Sequence, residues 1–238
     1  MERYQVLLNQ INTANGWPSD ERFFIDLITK GTIKLIELCN EDLNGSRLIR
    51  IFPLLRQIQE NCVVLLGLGT NTLSSKDVAG GKTDPKEIFK RIMNSTNENQ
   101  DKVESLSIYM KGIKDILNQY AHTNLDGLML LFMEEHQTYE TMKFNKLVVQ
   151  FMIGLVEILF IPMINHLYKV KLELPSLNQI VHELKDLGGI KYTANKLPDG
   201  YKDYLNQSEV LKGYFSSVIA NFKQQIVSLK TIIKGGVI

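Results

Sequence analysis

Leu147–Ile164 reads LVVQFMIGLVEILFIPMI, and the meaning of this run decides the fold. It is about as long as a bilayer crossing needs. Gln150 and Glu157 lie inside it, however, and Pro162 stands near its end. A charge at the middle of a membrane costs several kcal/mol, roughly 3 or more. The run therefore reads as the central buried helix of a globular protein, within a helix from Tyr139 to Val170. A helix that is apolar all round needs other helices around it.

Working outward, the other segments supply that cover. Pro18-Ser19-Asp20-Glu21 is a helix start, with Ser19 or Asp20 as N-cap. Phe24, Leu27, Ile28, Leu35 and Leu38 follow at helical spacing until Asn44-Gly45-Ser46 breaks the pattern. A second helix is expected from Ser46 to Gly67, with Leu54, Leu55, Ile58, Cys62, Leu65 and Leu66 on its apolar face. Pro53 predicts a late start or a kink there. Gly67 to Pro85 reads as a long polar loop. A short helix from Pro85 to Met93 follows. A long one runs from Glu98 to His122, with Val103, Leu106, Met110, Ile113, Ile116 and Leu117 in period. Thr123-Asn124-Leu125-Asp126 resembles a capping box and predicts a break after His122, then a helix through Phe132.

Pro175-Ser176 opens a shorter helix ending at Gly188-Gly189. The last helix, Ser208 to Lys234, carries Leu211, Phe215, Phe222 and Leu229 on one stripe. That stripe packs on the chain itself, or on a second copy or another protein. No alternating run bounded by turns predicts a sheet. The expected fold is all-α: a multi-helix bundle over 1–172, with a long amphipathic helix in a C-terminal extension over 173–238.

Composition narrows function by exclusion. Hydrophobic residues make up 44% and charged residues 22%, which fits a globular core rather than disorder. A net charge of +1 gives no global attraction to nucleic acid or membrane. Cys39 and Cys62 match no zinc or redox spacing and read as small buried hydrophobes in a reducing cytosol. Met1-Glu2-Arg3-Tyr4-Gln5 lacks a charged-then-apolar leader pattern, so the expected location is cytoplasmic. Gly80-Gly81-Lys82-Thr83 looks like the end of a P-loop, but Lys76 stands where its first glycine belongs. His122, His136, His166 and His182 show no mutual metal-ligand spacing, and no cofactor or metal is expected.

One helix end carries residues of chemical interest. Asn118 and His122 are four apart and share a face, with Tyr120 beside them and Lys114 below. Carbonyls at a helix C-terminus favour a protonated imidazole, which either caps them or moves a proton. On the second helix Arg56 and Glu60 are four apart, marking either the solvent boundary of an apolar face or a polar pocket.

Arg56-Gln57-Ile58-Gln59-Glu60, then a long polar loop, then Leu117-Asn118-Gln119-Tyr120-Ala121-His122-Thr123-Asn124, resembles an uncharacterised bacterial helical family. That family is related to the HEPN group (higher eukaryotes and prokaryotes nucleotide-binding). The likeness covers roughly residues 20–170. It implies a helical bundle, often dimeric, and a place in phage defence or a toxin–antitoxin system as a metal-independent ribonuclease. His122 would be general acid or base on a ribose hydroxyl, with Arg56 or Lys114 stabilising the phosphate and Asn118 or Tyr120 orienting. Glu60 would border the RNA site. The group's own motif, Arg then His four to six residues later, is absent. The alternative is a non-catalytic helical subunit that binds protein.

Overall fold

The computed structural model describes residues 2–13, 16–95, 100–121, 139–180, 182–183 and 209. Within them the chain is all-α. The elements are α1 (Glu2–Asn12), α2 (Asp20–Asn44), a 3-10 turn (Leu48–Arg50), α3 (Ile51–Gly69), α4 (Ser75–Ala79), α5 (Pro85–Ser95), α6 (Gln100–Ala121) and α7 (Tyr139–Tyr168). No strand occurs among the described residues.

The helix α7 fulfils the reading of its apolar run. Lys146–Tyr168 is long and apolar enough to cross a membrane, yet 83% of its apolar window is buried inside the protein. Every residue from Phe151 to Ile161 is buried. α2 and α3 pack on it, and α3 in turn carries α5 and α6. Pro162 lacks the N–H that would bond the Ile158 carbonyl, and α7 nevertheless continues to Tyr168. Lys169 then turns the chain with φ +55. The Asn165 side chain fixes the return by accepting from Leu172 N at 2.8 Å and donating to Leu172 O at 3.0 Å. The returning segment lays Leu177 on Gly154, where an added Cβ would collide with Leu177 Cδ2.

Local rules explain the helix ends. Ser19 caps α2, its hydroxyl accepting from Arg22 N at 3.2 Å. Pro53 is the third residue of α3, in the first turn, where an N–H has no helical acceptor; the late start holds, preceded by the 3-10 turn. The helix α6 is described as far as Ala121, and its expected end at His122 lies outside the described residues. The helices expected after His122 and after Ser208 fall outside the described residues. So does most of the one expected after Pro175.

The structure departs from expectation in two places. Residues 67–85 are not an unstructured loop. α4 sits within them, closed by a capping box of Ser74 and Asp77. Glu21 Oε1 accepts from the Ser75 hydroxyl at 2.9 Å, and Arg91 reaches Asp77 at 3.4 Å. The Glu21 carboxyl is held below its ordinary value by backbone and Ser75 hydrogen bonds. The second is an addition, α1, for which the sequence analysis made no prediction. Tyr4, Leu7 and Ile11 are its buried stripe. Tyr4 OH donates to Glu157 Oε1 at 2.8 Å, and Arg3 lies 3.5 Å from the same oxygen. Glu157, the charge inside the apolar run, is therefore the anchor of α1.

Gly31 has no such explanation among the described residues. It stands in the middle of α2, exposed, with nothing within 4 Å of an added Cβ. A mid-helix glycine costs about 1 kcal/mol relative to alanine.

The Tyr4–Glu157 contact gives a direct test. Tyr4→Phe keeps the ring and strips Glu157 of a buried donor. The expected loss is about 1–3 kcal/mol of unfolding free energy, read by urea denaturation. A loss below a few tenths would show that α1 does not depend on this bond.

Candidate functional site

The residues singled out by sequence are only partly brought together. Arg56 Nε lies 3.2 Å from Glu60 Oε1, on the half-exposed side of α3. The two are thus an i,i+4 ion pair on α3. Lys114 and Asn118 are half-buried one turn apart on α6. Asn118 Oδ1 is buried and has no hydrogen-bond partner. The backbone of Tyr120 lies in the last turn of α6, but its side chain falls outside the described residues. His122 falls outside them altogether, as do Leu211, Phe215, Phe222 and Leu229. Among the described residues no three His, Cys, Asp or Glu side chains gather as a metal site.

A different site is built where α2 begins. Asp26 is 2% exposed, on the inward side of α2. A carboxyl there must have its oxygens satisfied. Tyr168 OH donates to Oδ1 at 2.7 Å, Arg22 Nε lies 3.0 Å from Oδ1, and Trp17 Nε1 donates to Oδ2 at 3.2 Å. Arg22 also stacks 4.2 Å above the Tyr168 ring and donates to Leu167 O at 3.4 Å. Burial, with the Asp26 carboxylate adding to it, pushes the Tyr168 phenol well above its ordinary value. The cluster ties the start of α2 to the end of α7.

Its outward consequence is an apolar face. The bond to Asp26 fixes one edge of Trp17, leaving the ring 53% exposed. Phe23 stands edge-on to it, centroids 4.9 Å apart and planes at 86°. Phe24 meets Phe23 in turn at 5.5 Å. Leu27, one turn beyond Phe23, is 53% exposed. The other large exposed apolar side chains among the described residues, Val6, Ile108 and Leu174, stand far apart in the chain. Scattered exposure of that kind is ordinary; a rigid aromatic group held over a satisfied polar cluster is not. Sequence reasoning used Pro18-Ser19-Asp20 as a helix start and passed over Trp17. The signal available was the single tryptophan beside an Arg22–Asp26 pair at i,i+4.

The cysteines offer no chemistry. Both are buried. Desolvation, then the charges of Asp42 and Glu157, pushes the Cys39 thiol up to about 12. Burial drives Cys62 higher still. A thiol raised in the fold stabilises below its unfolded value of 9.0, and that stability is lost as pH rises from there through about 12.

Trp17 is the only tryptophan, so its fluorescence reports this site alone. Asp26→Ala leaves Arg22 and Tyr168 without their acceptor. The expected result is a red-shifted Trp17 emission with a stability loss of about 3 kcal/mol, in the range for breaking a buried ion pair. An unshifted emission would mean that Trp17 is placed by something else.

Comparison of the chain with protein-family models, curated proteins and solved structures finds no match.

Proposed function

We propose that this chain is a non-catalytic helical subunit that binds protein through the outer face at the start of α2. The observation that carries this reading is the Trp17 ring, anchored on one edge to buried Asp26 and left half in solvent beside Phe23 and Leu27. Ordering is the main cost of placing large side chains in an interface. Here the rings are already fixed, so docking meets little of that cost. Tryptophan is one of the residues that dominate binding energy at protein interfaces. Two buried free thiols fit a reducing compartment such as the cytoplasm.

The test places a photo-crosslinking phenylalanine analogue at Phe23, or at exposed Lys90 on α5 as control, in cells expressing the full chain. The expected outcome is discrete protein adducts from position 23 that position 90 does not give, abolished by Leu27→Asp. The same adduct pattern from both positions would remove the docking face.

One observation favours a second reading, a metal-independent HEPN-like ribonuclease in phage defence or a toxin–antitoxin system. Asn118 Oδ1 is a buried acceptor without a donor, one turn before His122 in sequence, with Lys114 a turn earlier. On this reading His122→Ala lowers RNA cleavage by about 10²–10⁴-fold, the usual share of general acid–base catalysis. Equal cleavage and equal growth arrest for wild type and variant dispose of it.

A further inference from the structure

Gly31 is exposed in the middle of a 25-residue helix, and open space surrounds the position of its missing side chain. Among the described residues nothing uses its smallness. A small residue on an outer helix face is useful when another helix comes close, because interaxial distance depends on side-chain size at the contact.

The residues around it form a self-complementary set. Asp20, Leu27 and Lys34 are spaced seven apart, two helical turns each, and lie along one line of α2. Phe23 and Gly31 flank Leu27, each four residues away and on opposite sides. All five are exposed. A two-fold axis through Leu27 in an antiparallel helix pair exchanges Asp20 with Lys34 and Phe23 with Gly31. The largest exposed side chain of this stretch then meets the notch, each acid meets a base, and leucine meets leucine.

Resting on the interaction reading above, we propose that the occupant of this face is a second copy of the chain, packed α2 against α2 antiparallel about Leu27. Phe23 enters the gap over the partner's Gly31. Leu27 meets the partner's Leu27 on the axis. Asp20 meets the partner's Lys34, which within its own chain already holds Glu37 at 2.9 Å. The interface is isologous, so a single contact set is used twice and closes at two chains. The charge pairs at its two ends set direction and register more than affinity. A parallel pair would instead set Lys34 beside the partner's Lys34 and Phe23 beside the partner's Phe23, with both notches empty.

The full chain, purified alone, tests this by sedimentation velocity across micromolar concentrations. The expected species is a reversible dimer of the 27.2 kDa chain. Leu27→Asp gives monomer at every concentration, with helical circular dichroism unchanged. Gly31→Gln raises the melting temperature of the dilute monomer, because a helix former replaces glycine, yet weakens dimerisation at least tenfold. A merely structural glycine would not move those two readouts in opposite directions. Lys34→Asp weakens the dimer, and adding Asp20→Lys restores it. Leu27→Cys forms a symmetric disulfide under mild oxidation, the native cysteines being buried, while Lys34→Cys alone does not. A chain that stays monomeric, or a dimer indifferent to Leu27→Asp and Gly31→Gln, overturns the proposal. If position 23 still crosslinks to a different protein in either case, the docking face stands and only the second copy is lost.

Discussion

The constraint on which the structure rests is that α7 is apolar on every side. In water no face of such a helix stays uncovered, so each other element is positioned by what it covers. α3 takes one side and is itself nearly as apolar, with Ile51 through Leu68 largely buried. α2 packs on both, and α5 and α6 pack on α3. Transfer of apolar surface is non-directional, however. It explains why the helices gather and leaves open which residues meet.

Direction comes from a few buried polar groups, each pinning two distant parts of the chain. Glu157 receives Tyr4 and thereby fixes α1. Asp26 receives Tyr168, Arg22 and Trp17 and fixes α2 to the end of α7. Gln59 Nε2 reaches Met110 O at 2.8 Å and sets α6 on α3. An unmade bond at such a place leaves a desolvated group, so a slipped arrangement loses more than the bond itself. Specificity in this fold thus resides in polar contacts placed inside an apolar framework.

That division also sets what could be read from the sequence. Helix starts and periods are local, and Ser19, Pro53 and the run after Tyr139 declared themselves. α1 did not, because its stripe of Tyr4, Leu7 and Ile11 is short and its anchor stands 153 residues away. The order within 67–85 was hidden for the same reason: its capping box is local, but Glu21 and Arg91 hold it from outside. The site around Trp17 needed Tyr168 to be seen. Arg56 and Glu60 were legible as a pair, and their spacing alone favoured the contact with each other that they make.

Gly31 shows the limit from the other side. It is plainly visible as a glycine inside a helical pattern, and by pattern alone it is a weak point. Only burial distinguishes a glycine that makes room for a neighbour, as Gly154 does for Leu177, from one that makes room for nothing among the described residues. The inward face of α2 is committed through Asp26 and its partners. That fixity is what lets the outward face keep Trp17, Phe23 and Leu27 in water without collapsing them onto the core. A helix anchored less firmly could roll about its axis and bury those side chains itself. The satisfied carboxylate beneath and the apolar surface above are therefore two halves of one arrangement, and the unused space at Gly31 belongs to the outer half.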